Sequence, residues 1–147
     1  MKKVEKTKDL FSKGGLNCAQ AIMTVYGKPY SIDAEAAKAY GRPLGGGLGV
    51  SGEICGFLSG AAHVLGHAFD HPSEGQARRN TQPKVAAFLK AFKEKHGAVT
   101  CNRLLGVERN TAEGEKKIKA HRLVAKCCPG FGRDAARILE ELLPERT

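Results

Sequence analysis

Apolar positions along the chain recur three and four residues apart, and no segment alternates with the period of two that a strand requires. The first helical run, Lys3 to Lys13, is interrupted by Gly14-Gly15. A second, Cys18 to Tyr26, sets Ala19, Ile22, Met23 and Tyr26 on one face and ends at Gly27-Lys28-Pro29. Ser31 is placed to cap a short helix over Ile32 to Tyr40, closed by Gly41 and Pro43. A glycine-dense loop, Leu44 to Gly52, follows. The run from Glu53 to Asp70, opened by Ser51, is apolar on nearly every face, which predicts the central buried helix. Val85, Phe88, Leu89 and Phe92 make a stripe on a helix over Gln82 to His96. A short turn holds Cys101, Leu104 and Leu105, and a basic helix covers Ala112 to Lys126. The last helix is expected from Pro129 to Leu143, with Pro129 at its first position. The expectation is an all-α fold, a compact bundle of about six helices forming one domain over residues 1–147.

Composition narrows the class. Trp is absent and aromatics make up 6% of the chain, so the core is built from Ala, Leu, Ile and Val. The charged stretch Met1 to Lys6 leads into no apolar run, and no segment approaches the length of a membrane span. A cytoplasmic location without membrane association is expected, and there thiols stay reduced. The net charge of +9 is spread over several helices and reads mainly as solvated faces. Docking an acidic redox partner protein is the next reading. Nucleic acid is disfavoured, since no aromatics interleave with the charges.

Four of the five cysteines share a predicted setting. Cys18 follows the cap residue Asn17, Cys55 lies in the turn opened by Ser51, Cys101 follows Thr100, and Cys128 precedes Pro129. A helix N-terminus offers unpaired N–H groups and the positive end of the dipole, which favours thiolate. Helices converging at one end of a bundle would gather the four sulfurs. No C-x-x-C occurs, so neither a zinc ribbon nor a thioredoxin motif is indicated. Cys127, beside Cys128, is read as a core-facing spectator.

The segments Gly15 to Ile22, Gly45 to Ala61, Cys101 to Gly106 and Cys128 to Ala136 resemble the four signature blocks of the C_GCAxxG_C_C family. That family is a set of small bacterial and archaeal proteins to which a redox role is ascribed from their cysteines. The resemblance spans nearly the whole chain and implies that Cys18, Cys55, Cys101 and Cys128 are the family cysteines. Phe57 stands where the family has a small residue, which is expected to crowd the site.

Two mechanisms fit such a set. Four thiolates ligate an iron–sulfur cluster or another thiophilic metal, or a pair of thiols cycles through a disulfide. A structural zinc in a non-redox binding module with a basic partner-docking surface is the alternative. Whether the chain is an enzyme or an electron carrier stays open. Gly46, Gly47, Gly52 and Gly56 are the candidate cofactor-binding positions, through a loop whose N–H groups surround the Cys55 sulfur. The match of Gly47 to Gly52 to G-x-G-x-x-G does not indicate a dinucleotide, because no strand feeds it. His63, His67 and His71 fall four residues apart and are read as surface or helix-end groups. His96 and His121 are expected to face solvent.

Overall fold

The computed structural model describes residues 2–145; Met1, Arg146 and Thr147, at the ends of the expected 1–147 domain, lie outside the described residues. The fold is all-helical. Among the described residues eight α-helices, rather than about six, run in the order α1 (Lys3–Ser12), α2 (Cys18–Tyr26), α3 (Ala34–Gly41), α4 (Gly56–Ala68), α5 (Glu74–His96), α6 (Cys101–Leu105), α7 (Ala112–His121) and α8 (Leu123–Leu142). The short α6 counts as a helix of its own, and the junction expected between Lys126 and Pro129 falls instead at Arg122, whose φ of 51° separates α7 from α8. None of these helices is long and apolar enough to cross a membrane.

Helix starts follow local cap chemistry, and several differ from expectation. Asn17 and Gln20 form a reciprocal capping box at α2. Asp33, not Ser31, caps α3 by accepting from the Ala36 N–H, while Ser31 sits in the left-handed region. α4 begins at Gly56 with Cys55 as its N-cap residue; the Ser51 hydroxyl instead donates within the preceding loop, to the Gly47 and Leu48 carbonyls. Ser73 caps α5, which starts at Glu74, eight residues before the expected Gln82, and Pro83 lies inside that helix. Pro129 is likewise interior to α8.

The core forms where α2 meets α4, with α1, α3 and α8 packed around them. Ile22, Met23, Leu58, Val64, Leu65, Phe88, Phe92 and Leu139 are fully or almost fully buried. Each such side chain contributes about 1.5–3 kcal/mol through apolar burial. Phe57 does not crowd the cysteines. Its buried ring meets Phe11 edge to face at 5.3 Å and lies over Gly132 of α8. A Cβ at Gly132 would stand 2.6 Å from Phe57 Cζ, so α8 approaches α4 only because that position is bare. Gly132→Ala is expected to lower the unfolding free energy by about 1–3 kcal/mol, the usual range for overpacking. Adding Phe57→Leu should recover part of the loss; chemical denaturation of the single and double variants measures both.

A buried ion cluster ties α5 to α8. Asp134 is 3% exposed and accepts from His96 Nε2 at 3.0 Å, with Lys95 at 3.4 Å, Arg133 at 3.5 Å and Arg137 at 3.7 Å. Burial alone would raise this carboxyl; Lys95 and Arg133 outweigh it and hold it below the ordinary carboxylate range. His96 therefore does not face solvent as expected. It packs between Phe92 at 4.6 Å and Phe131 at 5.1 Å, and Phe131 walls the site described next. His121 is exposed.

Candidate cysteine redox site

Cys18, Cys55, Cys101 and Cys128 line one cavity of about 190 Å³. Residues from α1, α4, α6 and α8, from the α2 N-cap and from the glycine loop complete its wall: Phe11, Asn17, Gly46, Gly47, Gly56, Leu104, Leu105, Val124, Phe131 and Arg109, the last from the segment between α6 and α7. Three of the cysteines hold the expected helix-start positions. Cys18 and Cys101 are the first residues of α2 and α6, and Cys55 is the N-cap residue of α4. Cys128 departs from that pattern, because α8 begins five residues before it and its sulfur reaches the cavity from the helix interior. Cys127 packs partly buried against the core and does not line the cavity.

The backbone makes neighbours of two members of the set. The segments before α4 and α6 run antiparallel through an isolated bridge between Ile54 and Thr100. Its bonds are Cys55 N–H to Val99 O at 3.0 Å and Cys101 N–H to Glu53 O at 2.7 Å. Side chains alternate across such a bridge, so Ile54 and Thr100 take one face and Cys55 and Cys101 take the other, as diagonal neighbours.

The electrostatics correct the expectation of thiolates at every helix start. Burial pushes Cys55 and Cys128 up to about 12 and raises Cys18 well above an ordinary thiol. Neighbouring cavity cysteines add to the rise: Cys101 at Cys55, Cys55 and Cys101 at Cys128, and all three of the others at Cys18. N–H groups of Phe57 and Leu58 pull Cys55 the other way without prevailing. Removing a thiolate from water costs more here than a helix first turn returns. These three are neutral thiols at neutral pH.

Cys101 has a different neighbour. Arg109 Nη1 donates towards its sulfur at 3.7 Å, while Arg109 Nε holds Glu115 Oε1 at 3.4 Å. Burial would lower this guanidinium, yet its interactions with Cys101 and Glu115 raise it. Among the described residues, Arg109 is thus the one cationic side chain in the cavity wall. It is fixed from behind: its backbone N–H donates to Asn102 Oδ1 at 2.7 Å, and the Asn102 N–H donates to Gly52 O at 3.0 Å.

A family model described as "Putative redox-active protein (C_GCAxxG_C_C)" matches residues 16–142. The chain belongs to this family. Comparison with curated proteins and with solved structures returns no match. The matched span contains all four cavity cysteines and Arg109.

Of the four glycines expected at a cofactor, Gly46, Gly47 and Gly56 line the cavity of this C_GCAxxG_C_C chain. Gly52 does not. It lies against the Asn102 carboxamide, which a Cβ there would overlap. Nor do the loop N–H groups surround the Cys55 sulfur: those of Leu48, Gly49, Val50, Gly52 and Glu53 bond to carbonyls of residues 43 to 47. Among the described residues, no three His, Cys, Asp or Glu side chains come together as a group able to hold a metal ion. Arg109 and Asn102 carry no sequence signal as site residues. Only the bridge and the turn after α6 fold Arg109 back over Cys101.

Proposed function

We propose that the protein performs two-electron thiol–disulfide exchange in the four-cysteine cavity, with Cys101 as the attacking group. One observation carries this reading: a single guanidinium lies beside one sulfur in a cavity whose other three thiols are neutral. The substrate is a small disulfide whose sulfur enters the cavity. The Cys101 sulfur, beside Arg109 Nη1, attacks one substrate sulfur as thiolate; a mixed disulfide forms and the other half leaves as thiolate. The charge on Cys101 that helps hold up the Cys55 thiol is then gone. Cys55 therefore loses its proton more readily once the mixed disulfide exists, and attacks the Cys101 sulfur across the bridge. A Cys55–Cys101 disulfide forms and the second substrate thiolate is released. A dithiol on an acidic partner protein returns the two electrons, docking supported by the net charge of +9.

A second reading rests on a different observation. Among the described residues, the cavity wall carries four cysteines and no His, Asp or Glu, the donor type of an iron–sulfur cluster, although the side chains would have to move closer to hold one. Cys18, Cys55, Cys101 and Cys128 would hold it, and the cluster would supply one-electron transfer. The neutral thiols Cys18, Cys55 and Cys128 would first have to release their protons.

Anaerobic purification followed by stoichiometric oxidation with a small disulfide separates these readings. Colourless, metal-free protein whose peptide map shows a Cys55–Cys101 bond supports exchange. A brown chromophore with inorganic sulfide supports the cluster, colourless protein carrying zinc supports a structural metal, and a Cys127–Cys128 bond or no internal disulfide removes the exchange mechanism.

A further inference from the structure

His63 and His67 stand one turn apart on the exposed face of α4, outside the cysteine cavity. Each ring is tied to the preceding turn by the same contact. His63 Nδ1 lies 3.1 Å from the Ser59 carbonyl oxygen and His67 Nδ1 lies 3.0 Å from that of His63. A carbonyl only accepts, so both Nδ1 atoms carry a proton, which leaves the Nε2 of each ring as the nitrogen with a lone pair to offer a ligand. A hydrogen bond from one ring nitrogen to a backbone carbonyl is what fixes tautomer and orientation in metal-ligating histidines.

The rings are also held side by side. Tyr40 of α3 lies 6.3 Å from each, at interplanar angles of 26° and 34°. His63, His67 and Asp70 line one shallow depression with Ala62 and Gly66. α4 ends at Ala68, so the pair sits over its last turns, where the negative end of the helix dipole favours a cation. His71 is excluded, because its Nδ1 accepts from the Ser73 N–H at 3.0 Å.

We propose that His63 and His67 bind a divalent transition-metal ion that prefers imidazole, such as Zn²⁺, Ni²⁺ or Cu²⁺, through their two Nε2 atoms, with water filling the remaining positions. Two protein ligands make this an open, exchangeable site, unlike a closed four-ligand structural one.

Imidazole ¹⁵N spectra recorded during a Zn²⁺ titration test it site by site, whatever zinc the cysteines take up. The Nε2 resonances of His63 and His67 should shift together and saturate before that of His121, an exposed histidine without a partner four residues away. His67→Gln, at an exposed position, should leave the fold intact and weaken the His63 response at least about tenfold, the scale on which even outer-shell losses act. Zinc that shifts neither ring ahead of His121, or a His63 response unchanged by His67→Gln, overturns the proposal.

Discussion

Serine at position 101 is expected to reduce disulfide exchange to the uncatalysed rate while changing stability by only about 1 kcal/mol, as for an isosteric change of a small buried group. A hydroxyl in the place of this sulfur is not ionised near neutrality and does not exchange with disulfides. The other three thiols cannot substitute, because burial keeps Cys18, Cys55 and Cys128 protonated. Arg109 sets the magnitude of the companion effect. A unit charge about 4 Å from another contributes about 4 kcal/mol at the effective dielectric of a protein edge. The Arg109 side chain is 16% exposed and shared with Glu115, which reduces that. Arg109→Met should therefore slow alkylation of Cys101 at pH 7 by about tenfold to a hundredfold, corresponding to about 1.4–2.7 kcal/mol. Arg109→Lys keeps the charge but loses the fork that spans sulfur and carboxylate, and should fall between. Iodoacetamide labelling followed by peptide mapping reads both variants. Full exchange activity in Cys101→Ser, or Cys101 labelling indifferent to Arg109→Met, would sink the assignment of Cys101 as attacking group.

Legibility in the sequence followed the range of the interaction responsible. The all-helical class rests on apolar spacing over whole helices, and it was readable. Caps are local, yet two serines misled. Ser31 occupies a left-handed turn, and Ser51 spends its hydroxyl on loop carbonyls, so Asp33 and Cys55 take the positions before α3 and α4. Pro129 reads as a helix start because proline is favoured there. α8 nonetheless starts earlier, at a junction with no side-chain cap hydrogen bond and therefore no cap signature. The gathering of Cys18, Cys55 and Cys101 could be anticipated from a shared helix-start setting. What those thiols become there could not, because burial is set by the assembled wall and opposes the helix dipole. Arg109 is the extreme case. Its position over Cys101 depends on Asn102, Gly52 and an isolated bridge, none of which has a pattern along the chain.

The same dependence makes one loop glycine a sharp test of how the site is built. Gly47 has a φ of 75°, and a Cβ there would stand 2.6 Å from Glu53 N, 2.7 Å from Glu53 O and 2.9 Å from Cys101 Cβ. Two of those atoms are backbone and cannot yield cheaply. Glu53 N–H donates to Gly47 O, and Glu53 O accepts from the Cys101 N–H. Alanine at this position must therefore pay the left-handed cost of about 1–2 kcal/mol and also push the Ile54–Thr100 bridge apart. A total loss of about 3 kcal/mol is expected, a fall in Tm of about 6–12 °C for a chain of this size. Cys101 shifts with the bridge, so exchange should drop as well. Gly49→Ala is the matched control: its φ of 60° carries the same conformational cost, but nothing lies within 4 Å of the added methyl. That variant should lose about 1–2 kcal/mol and keep its exchange rate. Thermal unfolding and exchange assays on the pair decide between strain in the loop and displacement of the thiol. Equal losses in both variants would mean that Gly47 serves only the turn and does not set the distance between the loop and Cys101.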